Sequence, residues 1–211
     1  MIRVLTPAEM RQADAQAVAT SSVDALMHNA GAAIATYVRE HIPPGSRIVA
    51  FAGPGNNGGD ARAAAAQLPD FDCVVYGPNE MPRDDAAARE ALAGAALAVD
   101  GLFGTGARLP IDPRYLPAVR GLDARERHVL AIDIPSGVDA LTGAVPGDAV
   151  RATATITLAA MKSGLLFEPA RGYAGELWIA DIGIDDATLR AHANTFDALD
   201  DAAFLDLLPS R

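Results

Sequence analysis

The sequence predicts an α/β protein in which helices cover both faces of a mostly parallel sheet. Three observations point there. Short runs that are apolar nearly throughout, such as Arg47–Gly53 and Val129–Ile132, suit strands buried on both sides. Helix-forming stretches alternate with these runs, as a succession of βαβ units requires. Half of the 211 residues are hydrophobic, enough to fill one large core.

The elements follow in order. Thr6-Pro7-Ala8-Glu9 opens a helix, with Thr6 as N-cap, Pro7 at the first helical position and Glu9 closing a capping box. A second helix runs from about Val23 to Arg39, and Ile42-Pro43-Pro44-Gly45 stops it. Arg47–Gly53 is the first strand, and a helix from about Gly59 to Leu68 leads to the second, Phe71–Tyr76. Asp84–Leu92 is helical and Ala95–Val99 is a weaker third strand. Val129–Ile132, Ala154–Ala159 and Glu176–Ala180 supply three more, the last carrying the single tryptophan, Trp178. Asp185–Arg211 holds two short helical patterns. No internal repeat is present, and alanine enrichment mainly supports helices. The chain reads as one domain over 1–211.

Composition removes several functions. The 27 acidic residues outnumber the 17 basic ones for a net charge of -10, which argues against nucleic acid as a partner. Lys162 is the only lysine. Cys73 is the only cysteine, so an internal disulfide and a cysteine metal cluster are excluded. No apolar run is long enough to span a bilayer and the N-terminus has no signal-type apolar region, so a soluble cytoplasmic protein is expected.

Ligands of open parallel sheets bind beyond the carboxyl ends of the strands. Polar or glycine-rich segments follow four of the strands here: Gly53–Asp60, Asp100–Gly106, Asp133–Asp139 and Met161–Gly164. Four such segments on one sheet edge make a site. Gly53–Gly58 formally matches a dinucleotide fingerprint, with Glu80 near the distance of a ribose-binding acid. Pro54, which has no N–H, and the polar Asn56, Asn57 and Asp60 count against an ordinary dehydrogenase. Asp100 and Asp133 end neighbouring strands and could act as an acid–base pair, a cation site or caps. Ser136 sits in a rigid Pro-Ser-Gly turn. His28, His41, His128 and His192 all lie in helical or linker contexts, so a Ser-His-Asp hydrolase is not expected. Lys162 would meet a substrate phosphate or Asp133.

Taken together, Gly53–Asp60, Asp100–Gly106, Asp133–Asp139 and Lys162-Ser163-Gly164-Leu165 resemble the NAD(P)H-hydrate epimerases. Thr6–Met10, Leu26–Gly31 and Tyr173–Glu176 leading into Asp181–Ile184 extend the resemblance over about residues 3–185. It implies a three-layer αβα, Rossmann-like sandwich, usually a homodimer. The implied reaction interconverts the R and S epimers at C6 of hydrated NADH or NADPH, NAD(P)HX, so that a partner ADP- or ATP-dependent dehydratase can repair the S form. The resemblance assigns substrate contacts to Asn56, Asn57, Gly58, Gly59 and Asp60, and to Gly104, Thr105, Gly106, Ala107, Arg108, Leu109 and Pro110. It adds Asp133 as a substrate-contacting acid and Asn57, Asp100 and Ser136 as ligands of a potassium ion, K+. One carboxylate among neutral oxygens suits a monovalent ion better than calcium or magnesium. Two positions depart from the family: Ala61 replaces a glycine, and His28 replaces an acid expected near the site. Pro209-Ser210-Arg211 resembles the point where bifunctional members continue into the dehydratase.

C6 of the hydrate carries a hydroxyl beside the ring nitrogen. Asp133 could help that hydroxyl leave as water while the nitrogen lone pair pushes, and water could return to the other face. Opening the C6–N1 bond is a second route to the same inversion.

Overall fold

The computed structural model describes residues 2–194 and 196–198. Along the chain run β1 (Ile2–Leu5), α1 (Pro7–Thr20), α2 (Val23–His41), β2 (Arg47–Ala52), α3 (Asn56–Ala66), β3 (Asp72–Tyr76), α4 (Asp85–Ala91) and β4 (Leu97–Gly101). Then come α5 (Leu116–Gly121), β5 (Val129–Ile132), β6 (Ala154–Leu158), β7 (Met161–Lys162), α6 (Arg171–Ala174), β8 (Glu176–Ala180), α7 (Asp186–His192) and β9 (Phe196–Ala198). Six strands form one parallel sheet in the order β3-β2-β4-β5-β6-β8. From β2 the chain steps outward to β3 and then returns past β2 to β4. The point where the winding reverses therefore lies between β2 and β4.

Alternation along β2 shows why the sheet needs two helical layers. Ile48, Ala50 and Ala52 join the core under α2 and α3, whereas Val49 and Phe51 join the core under α4 and α5. The α2–α3 contact is close enough that a Cβ on Gly31 would stand 2.7 Å from the Ala63 carbonyl carbon. Helix α1 starts as the sequence predicts: Thr6 Oγ1 accepts from Glu9 N at 3.3 Å and Glu9 Oε2 accepts from Thr6 N at 2.8 Å. The architecture is a three-layer αβα sandwich.

A second, three-stranded sheet, β7-β1-β9, was not expected from the sequence. Strand β1 has four residues before a capping box, and β7 has only two, too short for either to show a period of its own. In register, Leu5 pairs with Lys162, which ties the start of α1 to the chain beyond β6. Other boundaries also move. Helix α3 begins at Asn56, so the polar segment expected as a loop is a helix N-terminus. Strand β4 extends to Gly101, which places Asp100 inside it. Helix α5 went unforeseen because it is six residues long and contains Pro117. The first tail pattern is α7, and the second lies outside the described residues. Among the described residues no helix is long and apolar enough to cross a membrane.

Candidate active site

A cleft of about 680 Å3 opens at the winding reversal, lined by α1, α2, the first turns of α3, the segment after β4 and the ends of β5, β6 and β7. Close packing shapes its floor. Gly53 N donates to Gly101 O at 2.9 Å, and a Cβ on Gly53 would fall 1.8 Å from Leu102 O. A Cβ on Gly58 would fall 2.0 Å from Gly53 O, so both glycines let β2, α3 and the segment after β4 meet.

Asp133 leaves β5 with φ at 68°, a left-handed conformation that aspartate tolerates better than most residues. Its N–H is fixed to Ile156 O at 2.7 Å. Its Oδ2 accepts from Thr105 N at 3.2 Å, and its Oδ1 is 2.5 Å from Lys162 Nζ. Lys162, only 1% exposed, also donates to Leu158 O at 2.5 Å. A buried ammonium requires such partners. Asp133 is one of the two partners expected for Lys162, the other being a substrate phosphate.

Asp100 is fully buried beneath the cleft. Its Oδ2 accepts from Ser136 N at 2.7 Å, and its Oδ1 from Ser136 Oγ at 2.7 Å and Leu102 N at 3.2 Å. Burial pushes its carboxyl up to about 6 against these bonds. Asn57 is 6% exposed, and neither its amide oxygen nor its amide nitrogen has a partner among the described residues. A Cβ on Gly104 would stand 2.8 Å from Asp133 Oδ2 and 3.5 Å from Asn57 Oδ1, so Gly104 passes close to both. By their chemistry the orphaned Asn57 oxygen, the Asp100 carboxylate and the Ser136 hydroxyl, one charge among neutral oxygens, would suit a weakly charged monovalent cation. Among the described residues no three His, Cys, Asp or Glu side chains group as a metal cage.

Two further carboxylates face the cleft. Asp60 is 6% exposed and has no hydrogen bond or ion pair among the described residues. Burial, then the charges of Asp133 and Asp14, push its carboxyl up to about 7, against the opposing pull of Lys162. Asp14 on α1 is raised by burial and by Asp133, with Lys162 opposing. Sequence reasoning missed Asp14. Its own helix gives little signal, because the buried apolar residues of α1 are Met10, Ala13 and Ala17 and Asp14 lies beside that face.

The cleft gathers Asn56, Asn57, Asp60, Gly104, Thr105, Gly106, Ala107, Arg108, Asp133 and Lys162. Gly58, Gly59, Leu109 and Pro110 are not among the residues that line it. Gly58 and Gly59 also serve packing, since a Cβ on Gly59 would press to 2.4 Å from Met27 Cε. Glu80 is no ribose ligand in this structure: its Oε2 accepts from Gly77 N at 2.9 Å and closes its own exposed turn. His28 is exposed on α2 outside the cleft, so the acid it replaces would also lie outside. Ala61 is buried within α3, where a Cβ on Gly101 would meet it at 2.6 Å.

A parallel sheet with buried carboxylates at its winding reversal, and with the ribose-type acid turned away, defines a Rossmann-like small-molecule site rather than a dehydrogenase. Comparison with known proteins gives the family. A family model described as YjeF-related protein N-terminus matches residues 23–94 and 76–164. The chain is 36% identical over 187 residues to the NAD(P)H-hydrate epimerase of Bordetella pertussis strain CS, covering 78% of this chain and 82% of that one. It is 35% identical over 184 residues to the bifunctional NAD(P)H-hydrate repair enzyme Nnr of Hyperthermus butylicus, covering 75% of this chain and 34% of the relative. The crystal structure of yeast ynu0, YNL200c, superposes with a TM-score of 0.66 at 20% identity, covering 77% of this chain and 83% of the yeast chain. This chain belongs to the NAD(P)H-hydrate epimerase family, on the YjeF-related N-terminal domain.

Proposed function

We propose that this protein is an NAD(P)H-hydrate epimerase that interconverts the R and S epimers of NAD(P)HX as a step of metabolite repair. The observation that carries this reading is Asp133, turned into the cleft and held by Thr105 N and Lys162. A carboxylate held by Thr105 N, Lys162 Nζ and Leu158 N, beside a cleft large enough for a dinucleotide headgroup, can exchange a proton with the C6 hydroxyl.

The first turn of α3, with Asn56 and Asn57 at its start and the N–H groups unpaired within the helix, suits the pyrophosphate. Thr105, Gly106, Ala107 and Arg108 would close over the nucleotide from the other loop. Asn57, Asp100 and Ser136 would hold potassium, which when bound supplies a fixed positive charge that joins α3 to the ends of β4 and β5. A homodimer in the cytoplasm, working beside an ADP- or ATP-dependent NAD(P)H-hydrate dehydratase, completes the reading. The bifunctional name of the Hyperthermus relative supports that partnership.

The test starts from purified S-NADHX with protein and potassium chloride near neutral pH, following R-epimer formation by chromatography against a no-protein control. Asp133→Asn should keep the fold and lose about a hundred- to ten-thousand-fold in rate. Choline replacing potassium at equal ionic strength should slow the wild-type protein. Full activity in Asp133→Asn would remove Asp133 from the chemistry. Binding of the hydrate without any turnover would leave a nucleotide-binding module.

A further inference from the structure

Inversion at a carbon that loses and regains water needs proton carriers on both faces of the ring. Asp133 can serve only the face it touches. Its Oδ1 is engaged by Lys162 and its Oδ2 by Thr105 N, so it cannot swing across the cleft. The residue that serves the opposite face must line the same cleft, arrive from an element other than the sheet edge, and have no structural bond to break.

Asp14 meets all three conditions. It projects into the cleft from α1, on the stripe with Met10 and Val18, whereas Asp133 rises from the end of β5. It makes no hydrogen bond or ion pair among the described residues, unlike Glu9, which is committed to the cap of the same helix. The small sheet ties the start of α1 to the ion pair, because Leu5, just before α1, is in register with Lys162, and Asp14 feels the charges of both Lys162 and Asp133. The charged groups facing Asp14 are Lys162 on β7, Asp133 beyond β5, Asp60 on α3 and, one turn earlier on its own helix, Arg11. Asp60 is a poorer candidate. It is 6% exposed, whereas Asp14 is only half-buried and so more open to the water that must enter and leave.

We propose that Asp14 is the second proton carrier of the epimerase, serving the face of the ring opposite Asp133. This rests on the epimerase reading above. In one direction the proton held by the first carboxyl passes to the C6 hydroxyl. The C6–O bond breaks with both electrons going to oxygen, which leaves as water, and the N1 lone pair forms the N1=C6 bond. Water then adds to C6 from the other face, the π electrons return to N1, and the surplus proton passes to the second carboxylate. The reverse direction exchanges the two roles, and no oxidant or reductant is consumed.

The experiment runs each epimer separately in water enriched in oxygen-18, with the uncatalysed rate subtracted. Chromatography reads inversion and mass spectrometry reads the C6 oxygen. Wild type should invert both epimers and label both. Asp14→Asn and Asp14→Ala should lose about a hundredfold or more in inversion. One epimer, the one whose hydroxyl faces Asp133, should still exchange its oxygen at a rate near wild type without inverting. Alanine is the strongest helix former, so the second variant keeps α1 intact if the first does not. Wild-type inversion in either variant overturns the proposal. So does loss of exchange in both epimers while calorimetry still shows binding, because that is the signature of a positioning role. Exchange without inversion in Asp60→Asn but not in Asp14→Asn moves the role to Asp60. Wild-type inversion without label uptake overturns the water-loss route, and Asp14 with it, while leaving the epimerase standing. Absence of wild-type inversion removes the epimerase itself.

Discussion

Asp60 holds a carboxyl at a place where the folded protein penalises its charge. Burial and the nearby Asp133 and Asp14 raise it to about 7, whereas in an unfolded chain it would titrate near about 4. Between those values the folded state binds a proton that the unfolded state releases. Its contribution to stability is therefore fully present below about pH 4 and is lost as pH rises toward 7. Replacing the carboxyl with a neutral amide of the same shape removes that loss. Asp60→Asn should thus melt roughly 2–6 °C higher than wild type at pH 8, for about 1–2 kcal/mol, with little difference at pH 4. Thermal melts across that range check it, and a lower melting point at pH 8 would show that the ionised carboxyl is held by a favourable contact. The same substitution should slow turnover, since buried unpartnered acids trade stability for a role in the cleft.

At the scale of elements, the meeting of β2, α3 and the segment after β4 is the least tolerant place in the fold. A methyl group on Gly53 would stand 1.8 Å from Leu102 O, which is backbone and cannot rotate away. Gly53→Ala should cost at least the 1–3 kcal/mol typical of overpacking and displace Asn57 from Gly104. Urea denaturation and the epimerase assay should both register it, whereas Glu80→Ala, confined to its own turn, should leave the assay unchanged. A Gly53→Ala protein with wild-type stability and activity would mean that the segment after β4 gives way freely. Much of this geometry was legible in the sequence. Strands buried on both faces announce themselves as short apolar runs, and β5 and β8 have the predicted limits. Asp100, Asp133, Ser136 and Lys162 were legible because polar residues just beyond apolar strands have few structural reasons to be there. Strands β1 and β7 were not legible, because two to four residues carry no period and their pairing is set by distant parts of the chain. Asp14 was hidden for a related reason: its neighbours in space come through the β1–β7 pairing, not from its own helix. Gly58 and Gly59 sat within a motif that suggested ligand contact, but their crowding against Gly53 and Met27 appears only in three dimensions.

Over the whole molecule, charge works against the substrate. The chain carries a net charge of -10, and a hydrated dinucleotide brings a pyrophosphate of the same sign. The groups able to attract it are local: Arg11 and Arg108 line the cleft and have no partner among the described residues, and the α3 N-terminus adds its unpaired N–H groups. These two influences have different ranges. At about 10 mM salt the Debye length is about 30 Å, so an approaching dinucleotide feels the acidic surface as a whole. At about 150 mM it is about 8 Å, and the substrate feels mainly the groups at the cleft mouth. Raising ionic strength therefore removes repulsion before it weakens attraction. With potassium held constant and choline chloride raised from about 10 to about 150 mM, kcat/KM should increase, by roughly two- to tenfold. The effect should reside mainly in KM, because screening acts on encounter and binding rather than on the buried carboxylates. A basic nucleotide-binding protein would respond in the opposite sense. A steady fall of kcat/KM with salt would show that Arg11, Arg108 and the helix terminus govern the approach at every distance, and that the acidic surface faces away from the path the substrate takes.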